Sequence, residues 1–237
     1  MRIAICYFGL LRTFRKTFPA HKQHIYDVLK ENNIDYDIYI HTWSGSYTNK
    51  RGNSTEIYNH NTDISDIVVP FKQRTDDQDQ FISNLNMDDY FYRDVYEKLG
   101  NCKEGEWLPD MLLYQMCSQE SQKRLINMVF ESGIEYDRII ILRPDLEMPI
   151  PLRIEPIVSM KVNHIILPQD EHCGGYNDRF AIVNPKMVLY YSHRIDEAKE
   201  FRKHHGRIAG ETYLKYILDK YKFIIKVENI PSTICRR

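Results

Sequence analysis

The chain has 237 residues, 43% of them hydrophobic, and a formal net charge of −1. That length and core content favour one α/β domain over two, and the near-neutral charge gives no general attraction for nucleic acid or an anionic membrane. The apolar runs are far too short to span a bilayer, and the five cysteines, odd in number and without a CxxC pair, give neither a zinc cage nor a disulfide framework. No signal-peptide pattern precedes the first apolar run. A reducing, cytoplasmic setting is the expectation.

Arg2–Tyr7 is a short apolar run that reads as a first strand. Phe8-Gly9 is its turn, and Leu10–Phe14 leads into a helix. His21–Asn32 has helical spacing, with Ile25, Val28 and Leu29 on one face, and Asn32-Asn33 as its stop. Tyr36–His41 is a second strand that ends at His41-Thr42-Trp43. Asn49–Asn61 is polar and reads as a long loop, Val68–Phe71 as a short strand, and Asp76–Asn86 as a solvated stretch. Met87–Leu99 has a poor helical pattern. Asp110–Ser132 is the best helix of the chain, opened by Pro109-Asp110 and closed by Gly133. Further strands are expected at His164–Leu167, Phe180–Val183 and Phe223–Val227, and helices at Met187–Lys203 and Gly210–Lys220. Strands alternating with helices predict an α/β fold with a mostly parallel, helix-flanked central sheet.

The most informative segment is Asp137-Arg138-Ile139-Ile140-Ile141-Leu142-Arg143-Pro144-Asp145-Leu146-Glu147. Its apolar run predicts a strand buried on both faces. Asp145 and Glu147 then stand where that strand ends, and open α/β sheets bind ligands outside the carboxyl ends of their strands. Two carboxylates at this spacing suit a hard cation, Mg²⁺ or Mn²⁺, shared with a substrate phosphate. Arg143 adds a planar fork for phosphate or carboxylate. The competing account is a polar surface turn with Arg143 paired to Glu147.

Four places carry a family resemblance: Ile3 to Thr13, Tyr39-Ile40-His41-Thr42-Trp43, Arg143-Pro144-Asp145-Leu146-Glu147, and Gly174-Gly175-Tyr176-Asn177-Asp178-Arg179-Phe180. With them the chain resembles nucleotide-sugar-dependent glycosyltransferases of the GT-A fold, those of bacterial surface-glycan loci and large DNA viruses in particular. The resemblance implies a single GT-A-like (Rossmann-like) domain over residues 1–237, its nucleotide-binding part about 1–147 and its acceptor part about 148–237. It implies transfer of a sugar from a nucleotide donor to a hydroxyl of a glycan, assisted by Mn²⁺ or Mg²⁺. Asp145 and Glu147 match the family's Asp-x-Asp metal motif, with Glu in place of the second Asp. Phe8, Gly9, Arg12, His41, Trp43, Arg143, Asp145 and Gly175 fall at donor-facing positions. Gly210-Glu211-Thr212 matches a later acidic motif that supplies a base in some members, although Thr212 stands where an acid is common. The metal-ligating His that many members carry near the C-terminus is missing, since His205 is the last in the chain.

The acceptor proton needs a carboxylate or His near the anomeric carbon. Asp178, in a Gly-rich stretch, and Glu211, at the start of a predicted helix, are the two candidates. Each has a plainer account: Asp178 as a turn residue, Glu211 as a helix-dipole partner. Likewise Arg12 reads as a solvated loop residue, His41 as a buried strand residue and Trp43 as packing, unless the resemblance holds. Three rivals stand beside the transferase. A sugar nucleotidyltransferase wants a glycine-rich loop with basic residues after the first strand, where this chain has Phe8-Gly9-Leu10-Leu11-Arg12. A nuclease wants a second acid, a Lys and a basic surface. A non-catalytic nucleotide-sugar-binding module would keep the fold without turnover.

Overall fold

The computed structural model describes residues 1–45, 48–51, 54–57, 63–90, 109–205, 208–230 and 233–235. Seven strands form one sheet in the order β5-β2-β1-β6-β8-β7-β9. They are β1 (Arg2–Phe8), β2 (Asp35–Ser44), β5 (Lys72–Asp77), β6 (Arg138–Leu142), β7 (His164–Pro168), β8 (Phe180–Val183) and β9 (Ile224–Glu228). The pairings β5-β2, β2-β1, β1-β6 and β7-β9 are parallel; β8 runs antiparallel to both its neighbours. A two-stranded hairpin, β3 (Thr48–Arg51) with β4 (Ser54–Ile57), stands apart.

β1 is the central strand, and its alternation explains the two layers around it. Ile3, Ile5 and Tyr7 face one side and pack with Phe14, Phe18, Ile25 and Leu29 of the helical segment that follows. Ala4, Cys6 and Phe8 face the other and pack with Leu125, Met128 and Val129 of the long helix Pro109–Phe130, and with Leu214 and Leu218 of the helix Gly210–Lys220. A strand covered on both faces needs apolar residues at every position, which is why it reads as a continuous run.

Several elements depart from the sequence expectations. The polar stretch Asn49–Asn61 holds the hairpin rather than a plain loop. The third strand begins after Phe71, not at Val68, and Asp76 lies inside it. Gln78–Ser83 is helical, capped by the Asp77 side chain on the Gln80 amide at 2.9 Å. Met187–Lys203 is broken into the helix Val188–Ser192, a 3-10 turn Arg194–Glu197 and the start of the helix Ala198–His205. Of Met87–Leu99, Met87–Asp89 is a 3-10 turn and residues 91–99 lie outside the described residues. No described helix is long and apolar enough to cross a membrane. Cys6, Cys117, Cys173 and Cys235 are free thiols.

After β6 the chain turns at Pro144 and Asp145, and Leu146 makes an isolated antiparallel bridge with Ile234 instead of joining the sheet. Helix-borne side chains take the place of a strand partner. Thr17 Oγ1 donates to the Pro144 carbonyl at 2.5 Å, His21 Nε2–H to Leu146 at 2.7 Å, and His24 to Met148. Thr17 and His21 are four residues apart, on one face of the helical segment, and meet the alternate carbonyls of Pro144 and Leu146. The other flank is closed by residues 233–235: Glu147 N–H donates to Thr233 at 2.8 Å and Cys235 N–H to Asp145 at 2.8 Å.

Candidate active site

The parallel strands β1, β2, β5 and β6 deliver Phe8, Trp43, Asp77 and Leu142 to one edge, and the antiparallel β8 begins there with Phe180. Asp145 lies at this carboxyl edge with 1% of its surface exposed. Arg143 grips it as a fork, Nε to Oδ1 at 2.8 Å and Nη2 to Oδ2 at 2.8 Å. Arg12, from the loop after β1, reaches the same carboxylate with Nη2 at 2.7 Å and Nε at 3.1 Å. Burial alone would raise the Asp145 pKa; the Arg143 and Arg12 guanidiniums outweigh it and hold the carboxyl well below the usual carboxylate range. The two arginine side chains remain partly open, 27% for Arg143 and 20% for Arg12.

The loop between β7 and β8 forms the opposite lip. It is stapled from within: Gly175 N–H donates to the His172 carbonyl at 2.7 Å, Asn177 Nδ2 to Asp170 at 3.0 Å, and Arg179 N–H to Asn177 Oδ1 at 3.0 Å. Arg179 Nη2 meets Glu171 at 3.1 Å, and its carbonyl accepts from the Arg143 amide at 3.1 Å. This stapling holds Asp178 over the start of the helix Gly210–Lys220, so close that a Cβ on Gly210 would stand 2.9 Å from its Oδ2. Free amides and the helix dipole favour an anion there. Asp178 makes no hydrogen bond among the described residues. Glu211, in the first turn of the same helix, has its pKa raised, first by burial and then by the negative charge of Asp178. The structure thus brings together Arg12, Arg143, Asp145, Asp178 and Glu211, all singled out from sequence, and adds Arg179, which lay unassigned inside the Gly-rich motif.

Other expected contacts are spent inside the protein. His41 is fully buried. Its Nδ1 accepts from Ser121 Oγ at 2.7 Å and its Nε2–H donates to Asp76 at 3.2 Å, so no ring nitrogen is left for a phosphate. Trp43 is buried too, its Nε1–H on the Cys117 carbonyl at 3.1 Å, one ring neighbour Phe81 at 5.4 Å and another the Arg124 guanidinium at 5.0 Å. It is packing rather than a stacking platform. Phe8 is in the core against the long helix. Gly9, with φ +91°, gives its amide to Ser121 Oγ and the His41 carbonyl. Gly175 approaches the backbone of Glu211 rather than an open groove: a Cβ there would lie 1.9 Å from the Glu211 oxygen.

The expected metal pair does not fit a divalent ion. Asp145 accepts four hydrogen bonds from two guanidiniums, and a dication brought against them meets two positive charges before it meets a free oxygen. Glu147 is exposed, its amide tied to Thr233. Among the described residues no group of three His, Cys, Asp or Glu is arranged to hold a metal ion. Spacing i, i+2 offered two acids; the arginine 133 residues before Asp145 in the chain gave no local signal.

No family model matches the chain, and no curated protein matches it. Solved structures do. The chain is similar to an active-site mutant of LgtC, at 8% identity over 96% of this chain and 72% of that one, with a TM-score of 0.45. It is similar to the apo form of mouse xyloside xylosyltransferase 1, at 10% identity over 96% and 84%, TM-score 0.43. It is also similar to the glycosyltransferase GlyE of Streptococcus pneumoniae TIGR4, at 10% identity over 96% of this chain and 46% of GlyE, TM-score 0.44.

Proposed function

We propose that this protein is a glycosyltransferase that moves a sugar from a nucleotide-sugar donor to a hydroxyl of a glycan acceptor. The observation that carries the reading is the pair Asp178 and Glu211, two carboxylates within each other's field, at the carboxyl edge of the sheet and beside a cluster of arginines. Such a pair supplies what the chemistry requires at the reacting carbon, a base for the acceptor and a fixed negative group for the sugar. Glu211 takes the proton of the attacking hydroxyl. The new bond forms between that oxygen and the anomeric carbon, the bond to the diphosphate breaks, and the nucleoside diphosphate leaves with its electrons. A base works best when its pKa approaches the working pH, and burial and the charge of Asp178 move the Glu211 pKa in that direction. Asp178, anchored over the helix start, is the ligand for the sugar. In this reading residues 1–147 hold the nucleotide and residues 148–237 the acceptor.

The test is a panel of nucleotide sugars incubated with the protein, with released nucleoside diphosphate measured by chromatography. One donor is expected to turn over, and Glu211→Gln to cost on the order of 10²–10⁴ in rate with donor affinity nearly intact. A donor that binds and is never cleaved makes the protein a binding module instead.

A further inference from the structure

Resting on that reading, we infer that the diphosphate of the donor is taken by Arg12 and Arg143 without a divalent ion, and that Asp145 is the positioning residue that aims the two guanidiniums. Both arginines present their Nε and Nη2 to Asp145. Arg143 Nη1 makes no hydrogen bond among the described residues, and the side chain is partly open. Two guanidiniums share the one carboxylate of Asp145 at the mouth of β1 and β6, and Arg143 also feels the charge of Asp178. A carboxylate that fixes a fork in place removes the entropy it would lose on binding, and a planar fork matches phosphate oxygens two at a time. In this inference the two guanidiniums supply to a leaving diphosphate the positive charge that a metal would otherwise bring. Asp145, with four hydrogen bonds and its surface buried, is committed to the arginines. Glu147, the other half of the acidic pair, stands in solvent and takes no part.

The experiment is isothermal titration of the whole protein with UDP, GDP and inorganic pyrophosphate, each in EDTA and again with Mn²⁺. The expected result is binding of one nucleoside diphosphate with the same Kd, within about twofold, in both buffers. Arg143→Lys, which keeps the charge and loses the fork, weakens it at least about tenfold. Asp145→Asn weakens it as well, and Mn²⁺ does not restore it; Glu147→Gln changes nothing. Circular dichroism of each variant checks the fold, and Arg143→Lys carries the test if Asp145→Asn does not fold. Pyrophosphate that binds in EDTA and needs Arg143, with no nucleoside diphosphate binding, upholds the anion site while removing the nucleotide-sugar reading. Binding that requires Mn²⁺ and is lost in Glu147→Gln overturns the inference, as does absence of binding by all three probes in both buffers.

Discussion

Gly175 is packed directly against the backbone of Glu211. A side chain at Gly175 would begin 1.9 Å from the Glu211 carbonyl oxygen, and the neighbouring Tyr176 amide donates to that same oxygen at 3.0 Å. The Gly-rich loop and the helix that carries the candidate base are thereby locked together. Gly175→Ala must push them apart. Overpacking of this kind costs roughly 1–3 kcal/mol, so the urea midpoint should fall with the m-value unchanged. Turnover should fall further than stability, because Glu211 moves with the helix. A variant as stable and active as the parent would mean that the loop yields without disturbing the helix.

The pH dependence of turnover tests the coupling of Asp178 and Glu211. A general base acts deprotonated, so rate is lost as pH falls through its pKa, and a raised pKa places that loss at higher pH. Burial and then Asp178 are what raise Glu211. Replacing Asp178 by Asn removes the negative neighbour and lowers the Glu211 pKa. The acid limb of the kcat profile, measured on the residual activity of Asp178→Asn, should move to lower pH. A limb that stays in place or moves upward rules out Glu211 as the titrating base.

Acid should unfold the protein through two buried histidines. His21 and His41 both have pKa values lowered to about 4, chiefly by burial. The unfolded chain binds a proton at each near pH 6.5 and the folded one does not, so stability is full above about 6.5 and declines as pH falls towards about 4. Each contributes up to about 3 kcal/mol across that window. Asp76 and Asp145 act in the same direction at lower pH. Both have burial opposed and outweighed by arginine partners, with His41 also supporting Asp76, and both are held below the usual carboxylate range. Urea midpoints measured from neutral pH downward should begin to fall near 6.5. A flat profile down to pH 5 would mean that both rings take up their protons in the folded state as readily as in the unfolded chain.

How much of this was legible in the sequence follows from where the information lies. β1, β6 and β8 are apolar runs covered on both faces, and the long helix and Gly210–Lys220 carry their own periodicity, so local pattern suffices. β5 is Lys72-Gln73-Arg74-Thr75-Asp76-Asp77, an edge strand half in solvent; it shows no apolar alternation, and the nearby apolar residues Val68 and Phe71 drew the expectation away from it. At the site, the strand end at Asp145 could be read directly. That Arg12 would arrive there, or that His41 and Trp43 would be covered by the long helix, depends on contacts between distant segments. The polar stripe Thr13, Thr17, His21 and His24 was the overlooked local signal. Those residues punctuate an otherwise apolar helix face containing Phe14, Phe18 and Ile25, and such polar groups need buried partners.

The last of those partnerships is a chain of hydroxyls whose direction chemistry fixes. The Leu146 carbonyl can only accept, so the His21 proton is on Nε2 and Nδ1 must accept. Tyr7 donates to that nitrogen at 3.2 Å and in turn accepts from Tyr26 at 2.9 Å. Tyr7→Phe leaves two buried groups unpaired, the His21 nitrogen and the Tyr26 hydroxyl, and should cost about 2–6 kcal/mol at about 1–3 for each unpaired group. Tyr26→Phe leaves Tyr7 still donating and should cost less. The double variant leaves unpaired the His21 nitrogen alone, so its cost should fall short of the sum of the singles by about 1 kcal/mol or more. Urea unfolding of the four proteins measures the cycle. Strictly additive costs would mean that the three groups do not form one chain, and that His21 is held on Leu146 without help from the tyrosines.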